Sequence, residues 1–132
     1  MDDLTKYIGI PYKWRGTDYD GCDCHGLVVL VYRDLFGVEL IDYKNLGTEK
    51  GHQTKAFLGN VEEEWVPISL QDAKPYDCML LRNKTKRFPD HCGIILDRYR
   101  FLHNLEGVGS RIERISTWRD RIYRVYRHKA LK

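Results

Sequence analysis

Asp23-Cys24-His25-Gly26-Leu27-Val28-Val29-Leu30-Val31-Tyr32 sets a carboxylate, a cysteine and a glycine at the mouth of a long apolar run. The valines alone would allow a strand. The run extends from Cys22 to about Phe36, however, which is long for a strand, and Gly37 makes a good helix C-cap. Leu27, Val28, Val31 and Leu35 share one helical face, and Leu30 and Tyr32 widen it. The pattern predicts a central, mostly buried helix that begins near Cys22. A cysteine at such a start has chemical meaning. Backbone N–H groups at a helix N-terminus carry partial positive charge, stabilise an ionised sulfur, and lower its pKa below the free value of about 8.5.

Working outward, residues 2–8 read as a short helix with Asp2 or Asp3 as its N-cap, ended by Gly9-Ile10-Pro11-Tyr12. Residues 13–22 have loop composition. Residues 38–75 carry the least pattern; loops with one or two short helices are expected, one around residues 49–57. The acidic run Glu62-Glu63-Glu64 reads as a solvated edge rather than a metal site. From Asp77 the pattern changes to short strands: Asp77–Arg82, His91–Leu96, Arg100–Asn104 after a tight turn at Asp97-Arg98-Tyr99, then 110–115 and 121–127. Short connections make them antiparallel. A helical half followed by about five strands predicts a single α+β domain over residues 1–132.

Composition narrows the function. There is no apolar stretch of about 18 residues, so no transmembrane helix and no membrane partner are expected. The start, Met1-Asp2-Asp3-Leu4-Thr5-Lys6, is acidic and lacks the apolar segment of a secretory signal, so the expected site of synthesis is a cytoplasm. Four cysteines without a signal argue against a disulfide framework, and Cys78 and Cys92 read as buried apolar residues. Net charge is +3, unevenly placed: residues 98–132 hold ten Lys/Arg against three Asp/Glu. Those arginines alternate with apolar residues, as in Arg121-Ile122-Tyr123-Arg124-Val125-Tyr126-Arg127, which is the habit of a half-buried strand. A solvated sheet face is expected there, not a nucleic-acid partner.

The chemistry follows from three residues. A thiolate attacks an amide carbonyl well; the site must also supply a proton for the leaving amine and donors for the oxyanion. Cys24 is the expected nucleophile, and His91 the base that takes its proton and returns it to the amine. An imidazole base works best with its far nitrogen held by an acceptor, and His103 suits that role if residues 91–96 and 100–104 form a hairpin. A neutral histidine stabilises an imidazolium less than a carboxylate would. The Cys24 backbone N–H and Tyr12 are the candidate oxyanion donors. Zinc is the competing reading, since Cys22, Cys24, His25, Cys78, His91, Cys92 and His103 include suitable ligands. Cys22-Asp23-Cys24 has only one intervening residue, however, and His91 and Cys92 would face opposite ways on a strand. No metal or other cofactor is expected.

The ordered series Gly9-Ile10-Pro11-Tyr12, Gly21-Cys22-Asp23-Cys24-His25-Gly26-Leu27-Val28, Pro75-Tyr76-Asp77-Cys78-Met79-Leu80, His91-Cys92-Gly93-Ile94-Ile95-Leu96 and Phe101-Leu102-His103 resembles the NlpC/P60 cysteine peptidases. The resemblance implies a papain-like α+β fold and cleavage of amide bonds in peptidoglycan stem peptides, next to γ-D-glutamate. It implies Cys24, His91 and His103 as the catalytic triad, Tyr12 as an active-site tyrosine, and Asp23 as a residue orienting the loop or a substrate amine. Three departures stand out. The family's Asp-Cys-Ser-Gly is Asp-Cys-His-Gly here, so the serine's substrate contacts fall to His25. Trp14-Arg15-Gly16 offers one glycine where two are usual. The usual Pro-Gly-Asp is Pro75-Tyr76-Asp77. With the arginine-rich ending, these variations resemble the bacteriophage tail-tip branch, which implies tail-tip partners and incorporation in a virion. Two other functions share these residues: a structural tail-assembly or adaptor module with little turnover, and thiol-dependent acyl transfer or amide hydrolysis on another substrate.

Overall fold

The Asp23 carboxylate accepts the Gly26 N–H at 2.7 Å and so caps helix α1, Cys24–Phe36. Gly37 ends it in the left-handed conformation at φ 64°, with Val38 N–H reaching back to Tyr32 O at 3.2 Å. The computed structural model describes residues 3–40, 61–82 and 89–131. Within α1, Leu27, Val28, Leu30, Val31 and Tyr32 are buried. Burying such side chains is worth about 1.5–3 kcal/mol each, enough to override the β preference of the valines.

Among the described residues, eight strands form two sheets. A small hairpin pairs β1, Thr17–Asp18, with β2, Gly21–Cys22. The main sheet is built from β3 (Trp65–Ile68), β4 (Cys78–Leu81), β5 (His91–Ile95), β6 (Arg100–Leu105), β7 (Gly109–Arg114) and β8 (Ile122–His128). Its order is β3-β8-β4-β5-β6-β7 and every pairing is antiparallel. One face, with Cys78, Leu80, Cys92, Ile94, Leu102 and Tyr126, packs into one core with α1. The other carries Met79, Leu81, Ile95, Phe101 and Val125, closed by Ile115 and Trp118. The arrangement is α+β, as the pattern predicts. No helix among the described residues is long and apolar enough to cross a membrane.

Among the described residues the main sheet has six strands rather than about five. The added strand, β3, contains Pro67, which argues against a strand; β3 pairs on one side only, with β8, and an edge strand tolerates a residue without an N–H. The acidic run forms most of a short helix α2, Val61–Glu64, and Glu64 bonds His128 Nε2 at 3.2 Å. The N-terminal helix shrinks to a single 3₁₀ turn, Thr5–Tyr7, although Asp3 Oδ1 still accepts the Thr5 N–H at 2.9 Å. Gly9 at φ 85° turns the chain away before a second turn can form. The helix expected around residues 49–57 lies outside the described residues.

Several bonds fix the segment that leads to Cys24. Tyr12 bridges Cys22 in parallel. Ser110 Oγ accepts the Ile10 N–H at 2.8 Å and donates to Tyr7 O at 2.6 Å. Buried Asn104 donates from Nδ2 to Cys22 O at 2.8 Å, tying β6 to the residue two before the nucleophile. Two of the departures from the family pattern also have a backbone signature. Arg15, at φ 66°, and Tyr76, at φ 76°, are the described non-glycine residues with positive φ. Both stand at departures from the resembled pattern, and each is held by its amide: Arg15 N–H on Asp23 Oδ2 at 3.0 Å, Tyr76 N–H on Ile95 O at 2.6 Å.

Candidate active site

Cys24 is the first residue of α1 and only 2% exposed. Its amide lies in the first helical turn, whose N–H groups have no carbonyl partner within the helix. The sulfur is held well below the usual thiol pKa. The Cys92 thiol hydrogen-bonds to it, His91 supplies charge and a second hydrogen bond, and the Cys92 N–H adds a third; burial opposes them and is outweighed. Cys92 is driven the other way, by its bonds to Cys24 and Cys78 and by burial. It therefore remains a thiol and donates to the Cys24 sulfur. Cys92 is core, as expected, but it also touches the nucleophile.

His91 opens β5 and His103 sits in the middle of β6. The register Ile94↔Leu102 and Ile95↔Phe101, continued one residue, sets His103 opposite Gly93 and diagonal to His91. Gly93 has no side chain because the Phe101 ring lies over it; a Cβ would meet Phe101 Cδ2 at 2.7 Å. Phe101 in turn packs on His103, with centroids 4.4 Å apart. His91 Nε2 and His103 Nδ1 are 2.8 Å apart. The Trp118 indole stands edge-on to His103 at 5.1 Å and tilted near His91 at 5.9 Å, walling both rings. Trp118 belongs to a short turn, α3, Ile115–Trp118.

Burial, His91 and Arg111 push the His103 imidazolium down to about 3. The Glu113 carboxylate is bonded to His103 Nε2. A neutral ring satisfies both partners: Nε2–H donates to Glu113, and Nδ1 accepts from His91.

Tyr12 is half-buried beside this cluster. Burial raises its phenol pKa far above the usual value, and the charges of Cys24 and Asp23 add to the effect. Its hydroxyl is therefore a lasting O–H donor. Asp23 uses Oδ1 on Gly26 N–H and Oδ2 on Arg15 N–H, so it orients the loop and caps the helix. His25 lies half-buried in the first turn of α1. Among the described residues no three His, Cys, Asp or Glu side chains are grouped to hold a metal ion.

Sequence reasoning missed Glu113, Trp118 and Asn104, and underrated Cys92. Only the Asn104 amide carried a signal, a polar residue set inside an apolar strand three residues before Gly107. In the basic end Arg98, Arg111, Arg114, Arg119 and Arg124 are exposed, as a solvated face requires, while three other arginines are engaged within the fold. Arg127 pairs with Asp77, Arg100 with Asp97, and Arg121 lies over the Trp118 ring at 4.5 Å.

Fold and site define a class: an α+β domain with a cysteine of lowered pKa at a helix N-terminus and two histidines in line behind it. The chain belongs to the NlpC/P60 family, which matches residues 9–127. It is 29% identical over 105 residues to the murein DD-endopeptidase MepH of Escherichia coli (strain K12), covering 79% of this chain and 34% of that protein. It is 28% identical over 106 residues to the gamma-DL-glutamyl hydrolase of Bacillus subtilis (strain 168), covering 77% of this chain and 22% of that one. The chain thus spans about a third or less of these curated relatives. The fold is similar to that of the NlpC/p60 domain of the peptidoglycan hydrolase SagA, with a TM-score of 0.61 at 21% identity over 94% of this chain and 92% of that one.

Proposed function

We propose that this domain is a cysteine peptidase that hydrolyses amide bonds of peptidoglycan stem peptides, next to γ-D-glutamate. The observation that carries the reading is the line from the Cys24 sulfur through His91 to His103, with the sulfur's pKa drawn down by its neighbours. The names of the two curated relatives, an endopeptidase of murein and a gamma-DL-glutamyl hydrolase, support the substrate class.

The mechanism follows. The Cys24 proton moves to His91, and the thiolate attacks the amide carbonyl carbon. The Cys24 N–H and the Tyr12 hydroxyl are the proposed donors to the oxyanion. As the intermediate collapses, the C–N bond breaks and the His91 proton goes to the amine, leaving a thioester on Cys24. Water, deprotonated by His91, hydrolyses the thioester and restores the thiol.

Digestion of purified peptidoglycan, with products identified by mass spectrometry, tests this. Wild type releases stem-peptide fragments and Cys24→Ala, still folded, releases none. Cleavage retained by Cys24→Ala would overturn the reading. A folded wild type without cleavage would favour an adaptor module, and turnover on a different amide or thioester would favour acyl transfer. Delivery by a bacteriophage tail is part of the proposal, suggested by the departures at His25, Arg15 and Tyr76. The domain is then expected in purified virions, detected by mass spectrometry.

A further inference from the structure

The line of hydrogen bonds does not end at His103. On the next strand Glu113 Oε2 bonds His103 Nε2, and Trp118 Nε1–H donates to the same oxygen at 3.2 Å. Glu113 is diagonal to His103 across the β6–β7 ladder, in which His103 faces Arg111 and Phe101 faces Glu113. Its carboxylate is 19% exposed, while the His103 ring is fully buried. We propose that Glu113 is a positioning residue: it sets the tautomers of His103 and His91 and so turns the basic nitrogen of His91 toward Cys24. This rests on the reading of Cys24 as nucleophile given above.

Counting protons gives the argument. A carboxylate only accepts, so the His103 proton sits on Nε2. A neutral imidazole has one N–H, so His103 Nδ1 is a lone pair. It lies 2.8 Å from His91 Nε2, and that contact needs a proton, which His91 must supply. A neutral His91 protonated at Nε2 has its lone pair on Nδ1, the nitrogen left for the Cys24 sulfur. When the thiol proton arrives there, no other proton has to move. The imidazolium charge then sits one ring away from the Glu113 carboxylate.

Without Glu113 the buried His103 ring keeps no acceptor at Nε2, and its proton can sit on Nδ1. His91 Nε2 must then accept, its own proton moves to Nδ1, and an N–H rather than a lone pair faces the sulfur. That is the wrong tautomer for a base. The groups facing this relay are few. Arg111 on β7 opposes charge on His103, and Cys92 donates to the sulfur from β5. The Trp118 indole, itself uncharged, fixes the carboxylate oxygen.

The test compares Glu113→Ala and Glu113→Gln with wild type and Cys24→Ala. Three readouts apply: thiolate absorbance against pH (taken as the difference from Cys24→Ala), histidine ring-nitrogen NMR, and kcat and KM on stem peptides. In Glu113→Ala the thiolate should appear at higher pH and the His91 proton should be found on Nδ1. Its kcat should fall about tenfold or more with KM nearly unchanged, and added formate should restore part of it. Glu113→Gln should fall between, since its amide oxygen can hold the tautomer without the charge; it carries the test if the alanine variant does not fold. A thiolate profile, tautomer and kcat equal to wild type would overturn the inference. If wild type cleaves no stem peptide but the profile and tautomer still shift, the positioning role stands and the proposed substrate fails.

Discussion

A buried histidine that stays neutral leaves a mark on stability. His103 is held down to about 3 in the fold against an ordinary value of 6.5. Between those values the unfolded chain binds a proton that the folded chain refuses, so stability rises with pH in that window and is lost on acidification. One such group contributes a slope of up to about 1.4 kcal/mol per pH unit. Urea unfolding across that window should show the slope, and His103→Gln should flatten it; an unchanged slope would mean that other groups carry the acid sensitivity. At this scale the chain was partly legible. Cys24 and His91 were readable because each opens an element with a chemically distinctive side chain, and His103 because it is a titratable residue within an apolar strand. Glu113 was not, since an acidic residue in an alternating strand looks like any solvated position. Only pairing with β6 gives it a partner.

At the scale of the element, the start of α1 depends on two glycines. A Cβ on Gly26 would lie 1.9 Å from Gly16 O, which is backbone and cannot swing aside. Gly16 itself would place a Cβ 2.3 Å from Gly21 O. The helix N-terminus and the β1–β2 hairpin are therefore in direct backbone contact, and this contact holds the Cys24 turn against its loop. Gly26→Ala should cost about 2–3 kcal/mol in urea unfolding and raise the pH at which the Cys24 thiolate appears. Stability within about 0.5 kcal/mol of wild type would show that the loop can retreat. The helix was legible from its length, its apolar stripe and Gly37. The strand β3 was not, because Pro67 is a breaker everywhere except at an edge, and edge position is a property of the assembled sheet.

At the scale of the whole molecule, an ion pair between a half-buried arginine and a buried carboxylate ties the beginning of β4 to the end of β8. Arg127 Nε and Nη2 reach Asp77 Oδ1 and Oδ2 at 3.0 and 2.9 Å, and Asp77 is 1% exposed. Arg127→Leu strands a buried carboxylate and should cost about 3 kcal/mol by urea unfolding. Adding Asp77→Asn should recover part of that loss, and failure to recover any would place the cost in packing instead. Arg127 also explains why the basic ending was hard to read: its charge count is a sequence property, but whether each arginine faces solvent or a carboxylate is settled by strand order.

Local pattern alone determined the α+β class, the helix with its cysteine, five of the six strands of the main sheet, and the two histidines. Those features rest on periodicity, capping and side-chain chemistry between residues close in the chain. Tertiary structure decided the place of β3, the use of Arg127 on Asp77, the Asn104 tie to Cys22, the Cys92 bond to Cys24, and the Glu113–Trp118 end of the histidine relay. Each joins residues that strand pairing or packing brings together, and strand order is set by burial across the whole sheet, which no short window of sequence contains.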